Sequence, residues 1–384
     1  MRRILVLAMF FPATVAAQQI DQEAVKNEPA LIGLLRTVDS PAASDHSLLW
    51  ELTNSTKNAS AQDSLAPGGQ KQKPAQTGKK PPIVIERPPA DPSMVGYIDD
   101  AIIGSEVRIR FDAGFGDDTP DRAEFFYAKC GCYRGLPSNN LAHDPNAPGP
   151  GPGIVTNLNF QQLYFNIEYA LTKRFSVFAE PLVRGIQPQT FAPGTGSFPS
   201  HSGIGDLRAG FKLAMLASPD RYLTFQFRTY FPTGDASQGL GTNHYSLEPA
   251  LLYYQRFSNR LSLESQVGDW IPTGGSAGVA SSSNPHPGRF SGNVFFYGVG
   301  PSYELYRSER VRFTPVVELV GWSVRGGFQT TTPAQAGGTN IVNIKIGART
   351  GFGAHSSVYV GYGHTLTSAD WYNSILRVEY RYTL

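Results

Sequence analysis

The sequence predicts an all-β fold: a single closed antiparallel transmembrane β-barrel of about twelve strands, preceded by a disordered N-terminal segment. Three observations carry that expectation. From residue 105 onward, strand-length stretches alternate apolar and polar residues with period two. The connections between these stretches are alternately long and short. The last stretch, "RVEYRYTL" (377–384), keeps the alternation to the final residue.

The N-terminal region has a different character. Arg2 and Arg3 precede an apolar run from Ile4 to Val15, and Ala16 and Ala17 follow, the pattern of a signal peptide spanning residues 1–17. The run is shorter than the roughly 20 residues of a spanning helix, so a membrane anchor fits less well. Residues 18–94 are rich in Ala, Pro, Gln, Lys and Ser around "PGGQKQKPAQTGKKPP". So little apolar side chain cannot offset the entropy of ordering, and the segment reads as a mostly disordered periplasmic linker. Within it, "EPALIGLLRTV" could place Leu31, Ile32, Leu34, Leu35 and Val38 on one face of a short helix; an incidental apolar cluster fits equally. Residues 95–384 are assigned to the barrel.

The strands follow from their patterns. In "SEVRIRFDAGF", Val107, Ile109, Phe111, Ala113 and Phe115 alternate with Arg108, Arg110 and Asp112. In "QLYFNIEYALT", Leu163, Phe165, Ile167 and Tyr169 alternate with Gln162, Tyr164, Asn166 and Glu168. "DLRAGFKLAM" separates Leu207, Ala209, Phe211 and Leu213 from Asp206, Arg208 and Lys212. Twelve such segments begin near 105, 157, 175, 203, 221, 245, 260, 292, 310, 340, 356 and 374. Gly- and Pro-rich loops at 116–156, 186–202, 232–244, 271–291, 323–339 and 364–373 alternate with tight polar turns at "TKR", "SPDR", "SNR", "RSER" and "GAHS". That asymmetry belongs to outer-membrane barrels, with short periplasmic turns and long external loops. A secreted β-sandwich is the competing fold.

The final strand must then close the sheet, because lipid cannot satisfy an open edge. "VEYRYTL" also resembles the terminal signature read by the barrel assembly machinery, with Leu384 where that signature usually has Phe.

Composition narrows the partners. Lys and Arg number 33 against 31 Asp and Glu, a net charge of +2, too balanced for a nucleic-acid footprint. After the N-terminal run, no stretch reaches the roughly 18 apolar residues of a helical span. The expected partners are outer-membrane lipid, the assembly machinery and a small-molecule solute, with no nucleic acid, no cofactor and no metal.

If the register is right, fifteen charged residues point into the lumen: Arg108, Arg110, Asp112, Glu168, Glu180, Arg208, Lys212, Arg228, Glu248, Glu264, Glu318, Lys345, Arg377, Glu379 and Arg381. Two roles stay open for them. They can pair across strands and fill the interior, or they can also form a lining that selects solutes.

Cys130 and Cys132, in "AKCGCYRG", are candidates for a disulfide, either between the two or to another chain; one intervening residue is too few for a usual zinc pair, and metal capture with His143 is the remaining alternative. An enzymatic barrel would need a His with a Ser or acidic partner on the wall, yet the histidines fall mostly in loops, turns or the linker. Only His364, followed by Ser368 and Asp370, lies near a strand end. "FPTGD" (231–235) and "IPTGG" (271–275) read as rim turns, with Asp235 as an alternative cation or solute contact.

"GIGDLRAGFKL" (203–213), "TYFPTGD" (229–235), "LEPALLYY" (247–254) and "PVVELVGW" (315–322) resemble segments of the outer-membrane barrels grouped as the MetA-pathway of phenol degradation family. The resemblance spans roughly residues 100–384. It implies a channel or transporter for small, aromatic or apolar solutes, and it transfers no residue-level site. The alternative is a structural or adhesive barrel without a continuous pore.

Overall fold

The computed structural model describes residues 93–120, 126–330 and 335–384. The signal peptide, the low-complexity segment up to residue 92 and the amphipathic stretch at 31–38 lie outside the described residues.

Twelve antiparallel strands form the wall. They are β1 (Glu106–Asp117), β2 (Val155–Thr172), β3 (Phe175–Glu180 and Leu182–Phe191), β4 (His201–Ile204 and Leu207–Ser218), β5 (Arg221–Phe231) and β6 (Tyr245–Arg256). Then follow β7 (Leu261–Thr273), β8 (Val294–Tyr303 and Tyr306–Arg307), β9 (Val311–Val324), β10 (Asn340–Phe352), β11 (Ser356–Thr365) and β12 (Ser374–Thr383). Each strand pairs with its sequence neighbours, and β1 pairs with both β2 and β12, so the sheet has no open edge. Strands β3 and β4 are broken at one level, where Pro181 lacks an amide and Gly205 N donates to Leu182 O at 3.0 Å.

The burial pattern inverts that of a soluble sandwich. Ile109, Ile167 and Ile346 are 42, 56 and 58% exposed on the outer face, whereas Arg184, Lys345 and Arg349 are 1% exposed or less inside. Apolar side chains standing outward in every strand need lipid as their solvent. Tyr169, Tyr303, Tyr306, Phe352 and Tyr382 are exposed beside the short turns, which places an aromatic belt at that rim. The terminal alternation belongs to the same scheme: Val378, Tyr380 and Tyr382 face out, and Arg377, Glu379 and Arg381 face in.

One loop is shorter than expected. The connection expected over 186–202 shrinks to 192–200, because β3 continues through Pro188 to Phe191. The ladder from β3 to β4 ends at Ile186, so Pro188 sits where only β2 pairs and its missing amide disturbs no second ladder.

Two features occupy the interior. At the long-loop end, Phe126, Tyr127, Tyr133, Phe198, Phe290 and Trp371 join a buried apolar cluster that lids the barrel. At the short-turn end, residues 93–104 form no strand; they run into the lumen, bend at 96–98 and return to β1. Met94, Val95 and Ile98 pack on Val316, Val320 and Tyr359, and Ala101 packs on Ala250, Leu252, Tyr254 and Phe296. Ser93 and Met94, which composition assigned to the linker, are thus part of a plug inside the barrel.

Candidate functional site

The plug has no sheet partner, so the wall's charged side chains satisfy its main chain. Glu318, at mid-height on β9, accepts the amides of Gly96 (2.8 Å), Tyr97 (2.8 Å) and Ile98 (2.9 Å), and also the Tyr359 hydroxyl (3.2 Å). Arg349 donates to the carbonyls of Met94 (3.2 Å) and Val95 (2.8 Å), Arg377 to Gly96 O (2.5 Å), and Arg381 to Ser93 O (3.1 Å). Glu264 accepts from Ser93 Oγ (2.7 Å) and Met94 N (3.0 Å). On the returning limb, Asp99 accepts from Arg228 (2.8 Å) and Gln226 (2.9 Å), and Ala101 O accepts from Thr224 Oγ1 (2.5 Å). Gly96 lies so close to the Tyr359 ring that any Cβ there would overlap it, which fixes glycine at the bend.

The remaining inward charges pair with one another. Arg377 grips Asp112 through two bonds of 2.7 Å. Lys212 reaches Glu168 at 2.7 Å, with Ser176 on the other oxygen. Arg110 (3.6 Å) and Arg208 (3.2 Å) share Glu180, and Arg228 reaches Glu248 at 2.5 Å. Arg108 lies 3.0 Å from Glu106, and Glu379 joins Arg349 (2.8 Å) and Arg381 (3.2 Å). Lys345 differs from all of these: its hydrogen bond goes to the Tyr372 hydroxyl at 2.8 Å.

All fifteen sequence candidates lie on the inner face. Sequence reasoning missed Glu106, Arg184 and Arg349, although each shares its parity with a neighbour that was named: Arg108, Glu180 and Lys345. It also missed Tyr97, Asp99 and Asp100, because no periodic signal marks an irregular plug. His364 faces outward at the wall, away from the interior.

Between lid and plug lies a chamber of about 140 Å³. Tyr97 forms part of its floor, Phe160, Tyr164, Phe296 and Trp322 line its walls, and Tyr372 lies toward the lid.

The lid is tied down by two of the segments that carried the family resemblance, 203–213 and 229–235. Asp206, in "GIGD", accepts from Gly234 N (3.0 Å) and from both N and Oγ1 of Thr242 (2.8 Å each), and Thr233 Oγ1 donates to Gly205 O at 2.8 Å. Asp235 caps the short 3-10 turn Ala236–Gln238, its carboxylate accepting from Ser237 N at 2.9 Å, in keeping with the rim-turn reading. In the first long loop, Lys129 bonds Asp144 and Ala277 O at 3.0 Å each, and the neighbouring Cys130 is buried.

The last long loop carries a pH-sensitive group. Burial, reinforced by repulsion from Asp118 and offset in part by His364, raises the Asp370 carboxyl to about 6. A raised acid stabilises the fold fully below its ordinary range, and that stability is lost as pH rises through about 6. Trp371, next along the chain, is buried against Trp322 with ring centroids 5.1 Å apart. Tryptophan fluorescence is expected to titrate with a midpoint near pH 6, and Asp370→Asn to flatten it; a midpoint unmoved in D370N assigns the transition elsewhere.

A closed barrel with an apolar exterior and a charged interior is a transmembrane β-barrel of the outer-membrane type. Residues 156–271, covering β2 to β7, match the family described as "Putative MetA-pathway of phenol degradation", which bears out the resemblance read from the sequence. No curated protein matches the sequence. Among solved structures, the chain is similar to the COG4313 outer membrane channel from Pseudomonas putida F1, at 15% identity over 73% of this chain and 96% of that one, with a TM-score of 0.44. It is also similar to the NanC porin, at 8% identity over 73% and 100% of the two chains, with a TM-score of 0.41. The Pseudomonas putida toluene transporter TodX matches at 8% identity over 73% and 89%, with a TM-score of 0.37.

Proposed function

We propose that the protein is a gated outer-membrane channel or transporter for small, aromatic or apolar solutes, with residues 93–104 as its inner gate. One observation carries the reading: an aromatic-lined chamber inside the barrel is separated from the short-turn end by a loop held largely through polar contacts to its main chain. Such contacts can be exchanged for water when the loop withdraws, which a covalent or fully apolar closure would not allow. On this reading the short-turn end, the C-terminus and the segment before residue 93 lie in the periplasm, residues 1–17 are removed on export, and the assembly machinery inserts the barrel.

A structural or adhesive barrel is the second reading, and the same occlusion favours it: lid and plug close both ends of the lumen. Swelling of proteoliposomes in isotonic solutions of sugars and of aromatic acids kept ionised at neutral pH separates the two. Faster swelling than in empty liposomes supports the channel; no swelling with any solute, in a correctly assembled barrel, leaves the structural reading.

We also propose that Cys130 and Cys132 are bridged to each other in the exported protein; their Cα atoms stand 5.2 Å apart, within the span of a disulfide. Maleimide is expected to leave intact cells unlabelled until a reductant is added, and immediate labelling would mean free thiols.

A further inference from the structure

We infer that the chamber above the plug binds a single-ring aromatic carboxylate, its carboxylate on Lys345 Nζ and its ring against the aromatic walls. The inference rests on the channel reading above and names the class of solute the channel would hold.

Lys345 is fully buried at the middle of β10, directly across the ladder from Glu318. Opposite charges so placed would ordinarily pair. Here the plug amides and the Tyr359 hydroxyl take both Glu318 oxygens, and among the described residues no carboxylate forms an ion pair with Lys345. The ammonium has three donors and spends one on the Tyr372 hydroxyl. It sits 4.6 Å from the centre of the Tyr97 ring and 4.5 Å from that of Tyr372. A buried cation held by one neutral partner and two ring faces is left short of an anion.

The charge balance of the chamber agrees. Five cations and four carboxylates line it, and Arg110, Arg208, Arg228 and Arg377 all have carboxylate partners among Asp99, Asp112, Glu180 and Glu248. The surplus positive charge is therefore Lys345. The buried Nε atoms of Arg110, Arg208 and Arg228 make no hydrogen bond among the described residues, so further donors stand at the same chamber.

Size and surface select the rest of the solute. The chamber holds about 140 Å³, close to the roughly 150 Å³ cavity that accepts one benzene. A small inorganic anion would satisfy Lys345 and leave the aromatic wall unused; a neutral aromatic would fill the wall and leave the ammonium short. A ring bearing one carboxylate does both.

Calorimetric titration of the full-length barrel in detergent, with benzoate, benzamide and acetate as probes, tests the inference. Benzoate is expected to bind at least about tenfold more tightly than either of the others, the difference of one charged hydrogen bond or one buried ring. Lys345→Gln is expected to bring benzoate down to the level of benzamide, and Lys345→Arg to retain the preference, with heat-modifiability on a gel confirming assembly of both. Equal binding of benzoate and benzamide by the native protein overturns the role of charge; equal binding of benzoate and acetate overturns the role of the ring. An undiminished preference in K345Q overturns the assignment to Lys345, and absence of benzoate binding overturns the whole inference. The two readings fail separately: benzoate that binds but never crosses proteoliposomes sinks the channel and leaves the site, whereas flux without saturable binding does the reverse.

Discussion

Replacing Glu318 with Ala is expected to turn a largely closed barrel into a largely conducting one. The carboxylate accepts three consecutive plug amides. Hydrogen bonds to a charged group contribute about 1.5–3 kcal/mol each, and three that share one carboxylate add to less than their sum. A loss of about 3–5 kcal/mol falls on the plugged state alone, since a withdrawn loop gives its amides to water. That shifts the ratio of withdrawn to seated plug by roughly 10² to several times 10³. In a planar bilayer, discrete current steps should become frequent and long in E318A and remain rare in the native protein. Native-like silence in an assembled E318A barrel would show that Glu318 does not hold the gate or that the lid at the long-loop end blocks the lumen by itself.

Deleting Tyr380–Leu384 is expected to abolish assembly altogether. Tyr380, Arg381, Tyr382 and Thr383 pair with Ile109, Arg108, Val107 and Glu106 of β1, and Leu384 N donates to Ser105 O at 2.9 Å. Their loss opens two edges at membrane depth, each unsatisfied backbone group costing several kcal/mol. Arg381 leaves as well, and with it a partner of Asp100, Glu106 and Glu379. Fractionation should find degradation products and no heat-modifiable band; a truncated chain reaching the outer membrane in native amount would contradict the closing-strand account.

The wall of this barrel was legible because lipid and lumen impose a strict period of two. Arg108 and Ile109, or Glu379 and Tyr380, announce opposite faces to any reader of the sequence, and the alternation of loop lengths supplies the topology. Strand starts at 175, 221, 245, 340, 356 and 374 follow from that pattern alone. What the pattern could not carry is the destination of each inward charge. Glu318 and Lys345 are cross-strand neighbours that sequence reasoning would pair, yet a peptide from 220 residues earlier in the chain separates their chemistry. The plug itself, "SMVGYIDDAIIG", has no periodicity, and it meets the wall largely through main-chain groups, which look alike in every sequence. The extension of β3 to Phe191 was hidden for a similar local reason: Pro188 reads as a loop residue until the missing ladder beside it is seen.

The central claim is that solute passes through the lumen when residues 93–104 withdraw, and it can be tested at the bend of the loop. Ile98 is buried against the wall while the plug is seated. In an Ile98→Cys protein with Glu318→Ala, a charged, membrane-impermeant thiol reagent added during bilayer recording should modify the withdrawn loop and prevent its return. The account predicts that current steps then persist after the reagent is washed out, and that the same reagent has little effect on I98C alone, where the plug stays seated. Modification of Ile98→Cys that leaves the current unchanged in both proteins would contradict it.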